Sequence, residues 1–371
     1  MNDHPAVSAT SPASPPPVLA LVGADFGELS NTWQLLEGTS VRARMLVAPA
    51  LYAHDPVFPG LAVEPLRSRE QVLDAIRTER PRVLLLMSGY FFVAQQLLTR
   101  ADLEAIVQAA RDIGARVVTS DPLIGCVAHV AAAAAVRALF ADAVHVHLAP
   151  APAGPLHWAC HNPRLTLAPS QRATLAGGLA EIGVMPGVPF WLFILSGADH
   201  RLQCRLQGRS RLDAALQAWG RQARAAGCQP VFLVPPLACE SLAGEASGSA
   251  LVLPFCDHRR FQALLLHAQH AFFWNLLSNS ILARVANGGS VFFLDDGHLA
   301  HFVPALLPLA HACYYQNALL PRLDPAKPLE SQALAQAASQ QVATFAPALQ
   351  ALRALPTPDQ WFARVLEEAG T

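Results

Sequence analysis

Short, continuous apolar runs alternate with segments of helical period through most of the chain. The runs "VLALVGA" (18–24), "VRARMLVAP" (41–49), "RVLLLMSG" (82–89), "RVVTSD" (116–121) and "AVHVHLAP" (143–150) predict strands, with "AVEPL" as a short additional one. Helices are predicted near 28–37, over 68–79, over 99–114 and through an alanine-rich stretch to about 141. Thr99 supplies the cap and Gly114 the stop of the third of these. Strands apolar on both faces, separated by helices, predict a parallel sheet covered on both sides, and right-handed crossovers make it doubly wound.

The alternation breaks between Ala149 and Pro189, where prolines stand at 150, 152, 155, 163 and 169. A domain boundary is expected there. A second series follows, with strands at 190–197, 230–236, 250–255, 271–274 and 290–294. Helices are expected near 212–226, where Gly227 stops the chain, and at 258–269, 279–287 and 299–312. Two more, 329–351 and 358–368, close the sequence. The expected division is a leader over 1–17, a first domain over 18–170, a second over 171–350 and a terminal helix over 351–371 that returns to the first domain.

Composition narrows the function classes. The chain has 371 residues, enough for two domains with buried cores, and is 53% hydrophobic with only 14% charged residues. The leader "MNDHPAVSATSPASPPP" is the one segment whose Pro/Ser/Ala composition reads as disordered. A net charge of −1, with no basic stripe interleaved with aromatics, excludes nucleic acid as an expected partner. Seven scattered cysteines, with no C-x-x-C pair and no zinc spacing, point to the reducing cytoplasm. No apolar run reaches membrane-spanning length, and the amino terminus lacks the apolar core of a secretory signal.

In parallel sheets ligands sit beyond the carboxyl ends of the strands, so the residues after each run carry the chemistry. In the second series these are Ser196-Gly197, Asp257-His258, Ser278-Asn279-Ser280 and Asp295-Asp296-Gly297-His298. In the first they are the turn "GADFGE", holding Asp25 and Glu28, then Ser88-Gly89-Tyr90 and Ser120-Asp121-Pro122. Each has a bland reading as well: a serine before a helix caps it, and an Asp-Asp-Gly turn is often only a turn. "GADFGE" lacks the third glycine of a dinucleotide fingerprint, so no nicotinamide cofactor is expected. No nucleophile elbow, phosphate-binding Walker loop or H-E-x-x-H occurs. His145 and His147 alternate on one strand without an evident third metal ligand, so a structural role is favoured. Cys256-Asp257-His258 places a thiol close to an imidazole, but residues so near in sequence seldom face each other productively.

The series "LPFCDHRRFQALLLHAQHAFFW", a serine-containing loop and "SILARVANGGSVFFLDDGHLAHF" resembles the donor-binding domain of GT-B glycosyltransferases. The likeness is greatest to the family of the peptidoglycan lipid-linked N-acetylglucosaminyltransferase, and it covers about 190–315. It implies two Rossmann-like α/β domains facing across a cleft, with a UDP- or dTDP-sugar as donor. Asp295, Asp296 and His298 would bind sugar hydroxyls, with Asp257 and His258 nearby. The amides and hydroxyls at Ser196, Gly197, Ser278, Asn279 and Ser280 would hold the diphosphate, helped by Arg201 or Arg259. One departure stands out: the family's ribose-binding glutamate has no counterpart in Ser280–Val285.

Transfer with inversion needs a base for the acceptor hydroxyl. Glu28 and Asp25 are the first candidates and Asp121 the next, and neither a metal nor another cofactor is expected. The acceptor is open among a small metabolite, a lipid carrier, which would bring peripheral membrane contact, and a protein side chain. Two further functions fit the same architecture: a UDP-sugar 2-epimerase, and a catalytically inactive partner protein.

Overall fold

The computed structural model describes residues 17–23, 26–54, 56, 58, 60–152, 154–243, 250–254 and 256–368. The leader lies outside this range except for Pro17, which opens the first strand, and the candidate base Asp25 lies outside it too.

The first half runs β1 (Pro17–Val22), α1 (Phe26–Leu36), β2 (Arg42–Val47), α2 (Pro49–Tyr52), β3 (Ala62–Pro65), α3 (Arg69–Glu79), β4 (Val83–Met87), α4 (Arg100–Asp112), β5 (Arg116–Ser120), α5 (Ala131–Ala134), β6 (Val144–His147), β7 (His157–Ala159) and α6 (Pro169–Ala176). Its seven strands are all parallel, in the order β3-β2-β1-β4-β5-β6-β7. The second half runs β8 (Phe190–Ile194), α7 (Gly197–Gln207), α8 (Arg209–Ala225), β9 (Gln229–Leu233), α9 (Pro236–Ala243), β10 (Leu251–Leu253), α10 (His258–His267), β11 (His270–Phe273), α11 (Asn279–Ala286), β12 (Ser290–Phe293), α12 (His298–Phe302), α13 (Leu306–Tyr315), α14 (Ser331–Arg353) and α15 (Pro358–Glu368). Its five strands are parallel in the order β10-β9-β8-β11-β12. Both sheets reverse direction of growth after their third strand, which is the doubly wound pattern.

Each sheet is packed on both faces, as its unbroken apolar strands require. On the first, α3, α4 and Phe140 cover one face, and α1 covers the other. Two later helices cross over to this sheet. Leu306, Ala310 and Cys313 of α13 join the α3/α4 side, while Trp361, Phe362 and Val365 of α15 join the α1 side. The α15 contact is anchored by the Trp361 indole N–H donating to the Trp158 carbonyl at 3.3 Å and by Arg364 lying 3.8 Å over the Trp158 ring. None of the helices is long and apolar enough to cross a membrane, among the described residues.

Besides the unexpected helices α2, α6 and α9, four segments differ from the sequence expectation. β7 arises in the proline-rich stretch expected to be loop, because His157–Ala159 pairs in register with His145–His147 at the sheet edge. α7 occupies Gly197–Gln207, where no helix was expected. The alanine-rich helix is instead three short pieces, Cys126–His129, Ala131–Ala134 and Arg137–Phe140. An alanine run offers no large apolar stripe to dock, and a helix is held mainly by such docking. The backbone bends so that Val130, Ala133, Val136 and Phe140 reach the core separately. The helix expected over 299–312 is split into α12 and α13 by Pro304, which pushes Val303 out of the helical region (φ −127°, ψ 83°).

Candidate functional site

The order of the strands reverses between β1 and β4 and between β8 and β11, so the crevices lie beyond those strand ends. In the second domain the loops after β8, β11 and β12 converge on one buried carboxylate. Asp199, fully buried in the first turn of α7, accepts the Ser196 hydroxyl at 2.6 Å and the Asn275 amide at 3.3 Å on Oδ2. Its Oδ1 accepts both the backbone N–H and the Nδ1–H of His298, each at 2.8 Å. Burial pushes the Asp199 pKa up, but the donors from His298 and Ser196 outweigh it and leave it below the ordinary carboxylate value. An ionised Asp199 fixes the tautomer of His298 with its proton on Nδ1, so Nε2 is the basic nitrogen, on a side chain 35% exposed.

Glycine makes this convergence possible. A Cβ on Gly297 would stand 2.4 Å from the Asn275 Cβ, and the residue sits at φ +93°. Only the missing side chain lets the Asp295–His298 turn close onto the loop after β11. Within the turn, Asp295 accepts the Gly297 N–H at 2.8 Å and His301 Nε2 at 3.0 Å. Asp296 stands 2.5 Å from an Arg322 nitrogen as an ion pair, without the angular geometry of a hydrogen bond.

The other second-domain candidates sit at helix starts. Ser196 caps α7 by accepting the Asp199 N–H at 3.1 Å, and the Arg201 guanidinium lies 3.6 Å from where a Cβ on Gly197 would be. Asp257 caps α10 by accepting the Arg260 N–H at 3.0 Å. Ser278 donates to the Ser280 hydroxyl at 3.0 Å. Two residues reach the first domain. Asn279 donates to Asn31 of α1 at 2.8 Å, and the His258 ring packs 4.3 Å from Trp33 and 5.7 Å from Phe58. Burial takes the His258 pKa down to about 4.

α11, the helix on which the family resemblance expects a glutamate, carries no carboxylate, and its Arg284 serves the scaffold. It is fully buried and donates to the carbonyls of Leu265, Ala268 and Gln269 at the end of α10, and to Ser290 as β12 begins. Burial takes its pKa down to about 9.

In the first domain Glu28 is 4% exposed and accepts the Ser120 hydroxyl at 2.7 Å, while that hydroxyl accepts the Ser88 N–H at 2.7 Å. Glu28 thereby ties the ends of β4 and β5 to α1. Asp121, also 4% exposed, accepts the N–H groups of Leu123 and Gly125, both at 2.8 Å. Burial raises its pKa in spite of those two donors. Tyr314 of α13 has its pKa raised first by burial and then by the charges of Glu28 and Asp121, so all three stand in one neighbourhood. Asp121 also borders a cavity of about 690 Å³ that Tyr90, His145 and His157 share. His147 bonds His157 at 3.0 Å, and among the described residues no three ligand-type side chains form a metal cluster.

At the contact of α1 with the second domain, Trp33 Nε1, His258 Nε2 and Asn279 Oδ1 are buried without a hydrogen-bond partner.

Asp199 is the residue that reading the sequence passes over. The signal was present in Ser196-Gly197-Ala198-Asp199, the S-x-x-D spacing of a capping box. Tyr90, His145 and His157 come together only through the parallel pairing of β4 to β7, which spacing along the chain does not reveal.

No family model and no curated protein matches the chain. Solved structures do. The glycosyltransferase SnogD from Streptomyces nogalater is 14% identical over 96% of this chain and 100% of its own, with a TM-score of 0.57. The glycosyltransferase SsfS6 from Streptomyces sp. SF2575, complexed with thymidine diphosphate, is 12% identical over 95% and 99%, with a TM-score of 0.51. A UDP-GlcNAc 2-epimerase from Methanocaldococcus jannaschii is 9% identical over 95% and 99%, also at 0.51. The chain therefore has a GT-B-like fold of two Rossmann domains, shared by transferases and epimerases alike. The likeness does not single out the peptidoglycan N-acetylglucosaminyltransferase family.

Proposed function

We propose that the chain is a glycosyltransferase that uses a nucleotide-diphosphate sugar as donor. The observation that supports this best is the Asp199–His298 pair, held by Ser196 and Asn275 at the carboxyl ends of the second sheet. In this reading His298 Nε2 and Asp295 meet sugar hydroxyls. The start of α7, with Arg201 beside it, receives the diphosphate and stabilises its charge as it leaves, without a divalent ion. Asp121 takes the acceptor hydroxyl proton as that oxygen attacks the anomeric carbon and the diphosphate departs with the bonding electron pair. Glu28 acts as a positioning residue through Ser120.

A thermal-shift series with UDP-, dTDP- and GDP-sugars tests donor use, since a ligand bound to the native state raises the midpoint. A shift of several degrees with one nucleotide class is expected, and a smaller one in His298→Ala. No shift with any of them removes the reading in favour of an inactive GT-B-like partner. An oriented imidazole near buried carboxylates also suits proton transfers on the sugar itself, so 2-epimerase activity is the second reading. It predicts a new epimer from UDP-sugar alone, with no acceptor added.

A further inference from the structure

We infer that the packing of His258 against Trp33 and Phe58 is a proton-sensitive clasp, which holds α1 to the second domain while the imidazole is neutral and releases it when the imidazole is protonated. The inference rests on no reading of the activity.

The clasp is small and stands at one end of two levers. His258 opens α10, with its ring centre 4.3 Å from that of Trp33 and 5.7 Å from that of Phe58. Asn279 opens α11, and its amide donates to Asn31 of α1 at 2.8 Å. The far ends of the same two helices are tied to the segment that joins the two sheets. His267, the last residue of α10, bonds the Arg172 carbonyl through Nε2 at 2.9 Å. Asn287, just past α11, accepts the Leu167 N–H and donates to the Leu165 carbonyl, both at 2.8 Å. So α10 and α11, roughly 15 Å and 12 Å long at about 1.5 Å per residue, reach from the joining segment to the clasp. A small rotation about the joined ends parts His258 from Trp33 without unfolding either helix.

The contact is also built to come apart. It leaves Trp33 Nε1, His258 Nε2 and Asn279 Oδ1 buried without hydrogen-bond partners. A permanent contact normally satisfies its polar atoms, whereas these three regain water when the elements part. Protonation adds the deciding difference. On a neutral ring Nε2 can hold an unused lone pair. On a protonated ring it carries an N–H with positive charge and no acceptor. The positive end of the α10 dipole opposes that charge as well.

Two attractions work the other way, from the Trp33 ring and from Asp257. Burial outweighs the charge of Asp257 and takes the His258 pKa down to about 4. Arg259 and Arg260 share the helix, and the Arg260 guanidinium lies 3.3 Å from Asp257. On α1 the titratable groups are engaged elsewhere, Glu28 with Ser120 and Glu37 with Asn162. In the segment that carries Phe58, the His54 ring packs on Phe26. Once parted, His258 returns to the ordinary value of about 6.5. Closure is therefore fully favoured above that value and is lost as the pH falls below it. Between about pH 7.5 and pH 5.5 the closing constant should drop about tenfold.

The test uses the full chain with isotope-labelled tryptophan, whose six indole N–H signals are separate probes. Trp33→Phe identifies the signal of Trp33. The protection of that N–H against exchange, referred to free tryptophan at each pH, reads how often the contact opens. It should fall about tenfold over that pH range, while the Trp361 indole, bonded to the Trp158 carbonyl, keeps its protection. In His258→Phe, which packs on Trp33 but does not titrate, the change should be less than about twofold. If that variant fails to fold, His258→Gln gives the same reading. Trp33 protection that stays within about threefold in the native chain overturns the clasp, and so does protection that rises in acid, where attraction of the cation to the Trp33 ring has won. A fall shared by Trp361 is general loosening and overturns it too. A fall that persists without His258 assigns the titration to another group, with the same consequence.

Discussion

The two sets of strand-end loops are built on different plans. In the second domain, three loops are wired to each other through Asp199. In the first domain, Ser88 and Ser120 also join the loops after β4 and β5, but a cavity of about 690 Å³ lies beside them, bordered by Asp121, His145 and His157. A network of short hydrogen bonds suits a ligand part that never varies, such as a diphosphate and its sugar. A cavity of that size suits a partner recognised by shape. The difference teaches that a two-domain enzyme can place its precision and its adaptability in separate halves, with α13 lying between them as a shared wall.

The sharpest way to break this division is at Asp121. Asp121→Asn keeps the size and can accept one of the two backbone N–H bonds, at the cost of turning its amide nitrogen to the other, and it removes the base. Turnover should fall about 10²–10⁴-fold while donor affinity stays within a factor of two or so. Rapid-quench rates and donor titration measure the two separately. A variant that loses donor affinity instead would put Asp121 on the wrong side of the comparison. Normal turnover would return the base role to Glu28, for which Glu28→Gln is the matching experiment.

Arg284→Met comes next in size, and it tests whether the precision of the second domain begins in its scaffold. The guanidinium is the donor for carbonyls of Leu265, Ala268, Gln269 and Ser290. Methionine leaves those acceptors buried and bare, at a cost on the order of 1–3 kcal/mol each for those that cannot find water. Unfolding by urea should show a loss of about 3 kcal/mol or more. A stable variant with weakened donor binding would mean that Arg284 reaches the ligand.

A smaller effect is expected at the wired loops. If His298 meets the donor as proposed, His298→Ala removes one hydrogen bond to it, and affinity should drop about tenfold, equal to about 1.4 kcal/mol. Asp199→Asn should approach the same loss indirectly, because an amide no longer fixes the Nδ1–H tautomer. If His298→Ala binds as before while Asp199→Asn does not, the carboxylate meets the ligand and the imidazole only supports it.

How much of this was legible in the sequence depends on what sets each feature. The parallel sheets follow from runs such as Val83–Met87 and Phe190–Ile194, whose every residue is apolar because both faces are covered. Register along an edge is set by long-range pairing, so three residues, His157–Ala159, gave no strand signal between prolines. α7 is hidden because most of its side chains are polar and its buried carboxylate reads as a surface charge. Ser196, Asp295 and His298 were visible as candidates because loop chemistry after a strand is local. That Asp199 joins Ser196 to His298 was not, since it spans three strand ends. The cavity has no sequence signature, because its lining is gathered from β6, the segments after β4 and β5, the broken alanine-rich stretch and the edge at β7.

Asp257 gives the smallest expected effect and the finest test. It stands among donor-side residues in sequence, yet its side chain accepts the Arg260 N–H at 3.0 Å as the cap of α10, with the Arg260 guanidinium 3.3 Å away. If capping is its whole role, Asp257→Ala should cost about 1 kcal/mol of stability. Asp257→Ser should restore most of that, because a hydroxyl caps as well as a carboxylate. Donor affinity should be the same in both variants. If Asp257 meets the donor, the serine variant recovers stability but not affinity. Paired melting curves and donor titrations on the two variants separate these outcomes, because only the second needs the negative charge. A helix cap that proves to be only a cap would confine the wired half of the molecule to the loops around Asp199, and leave His258 to the contact with Trp33.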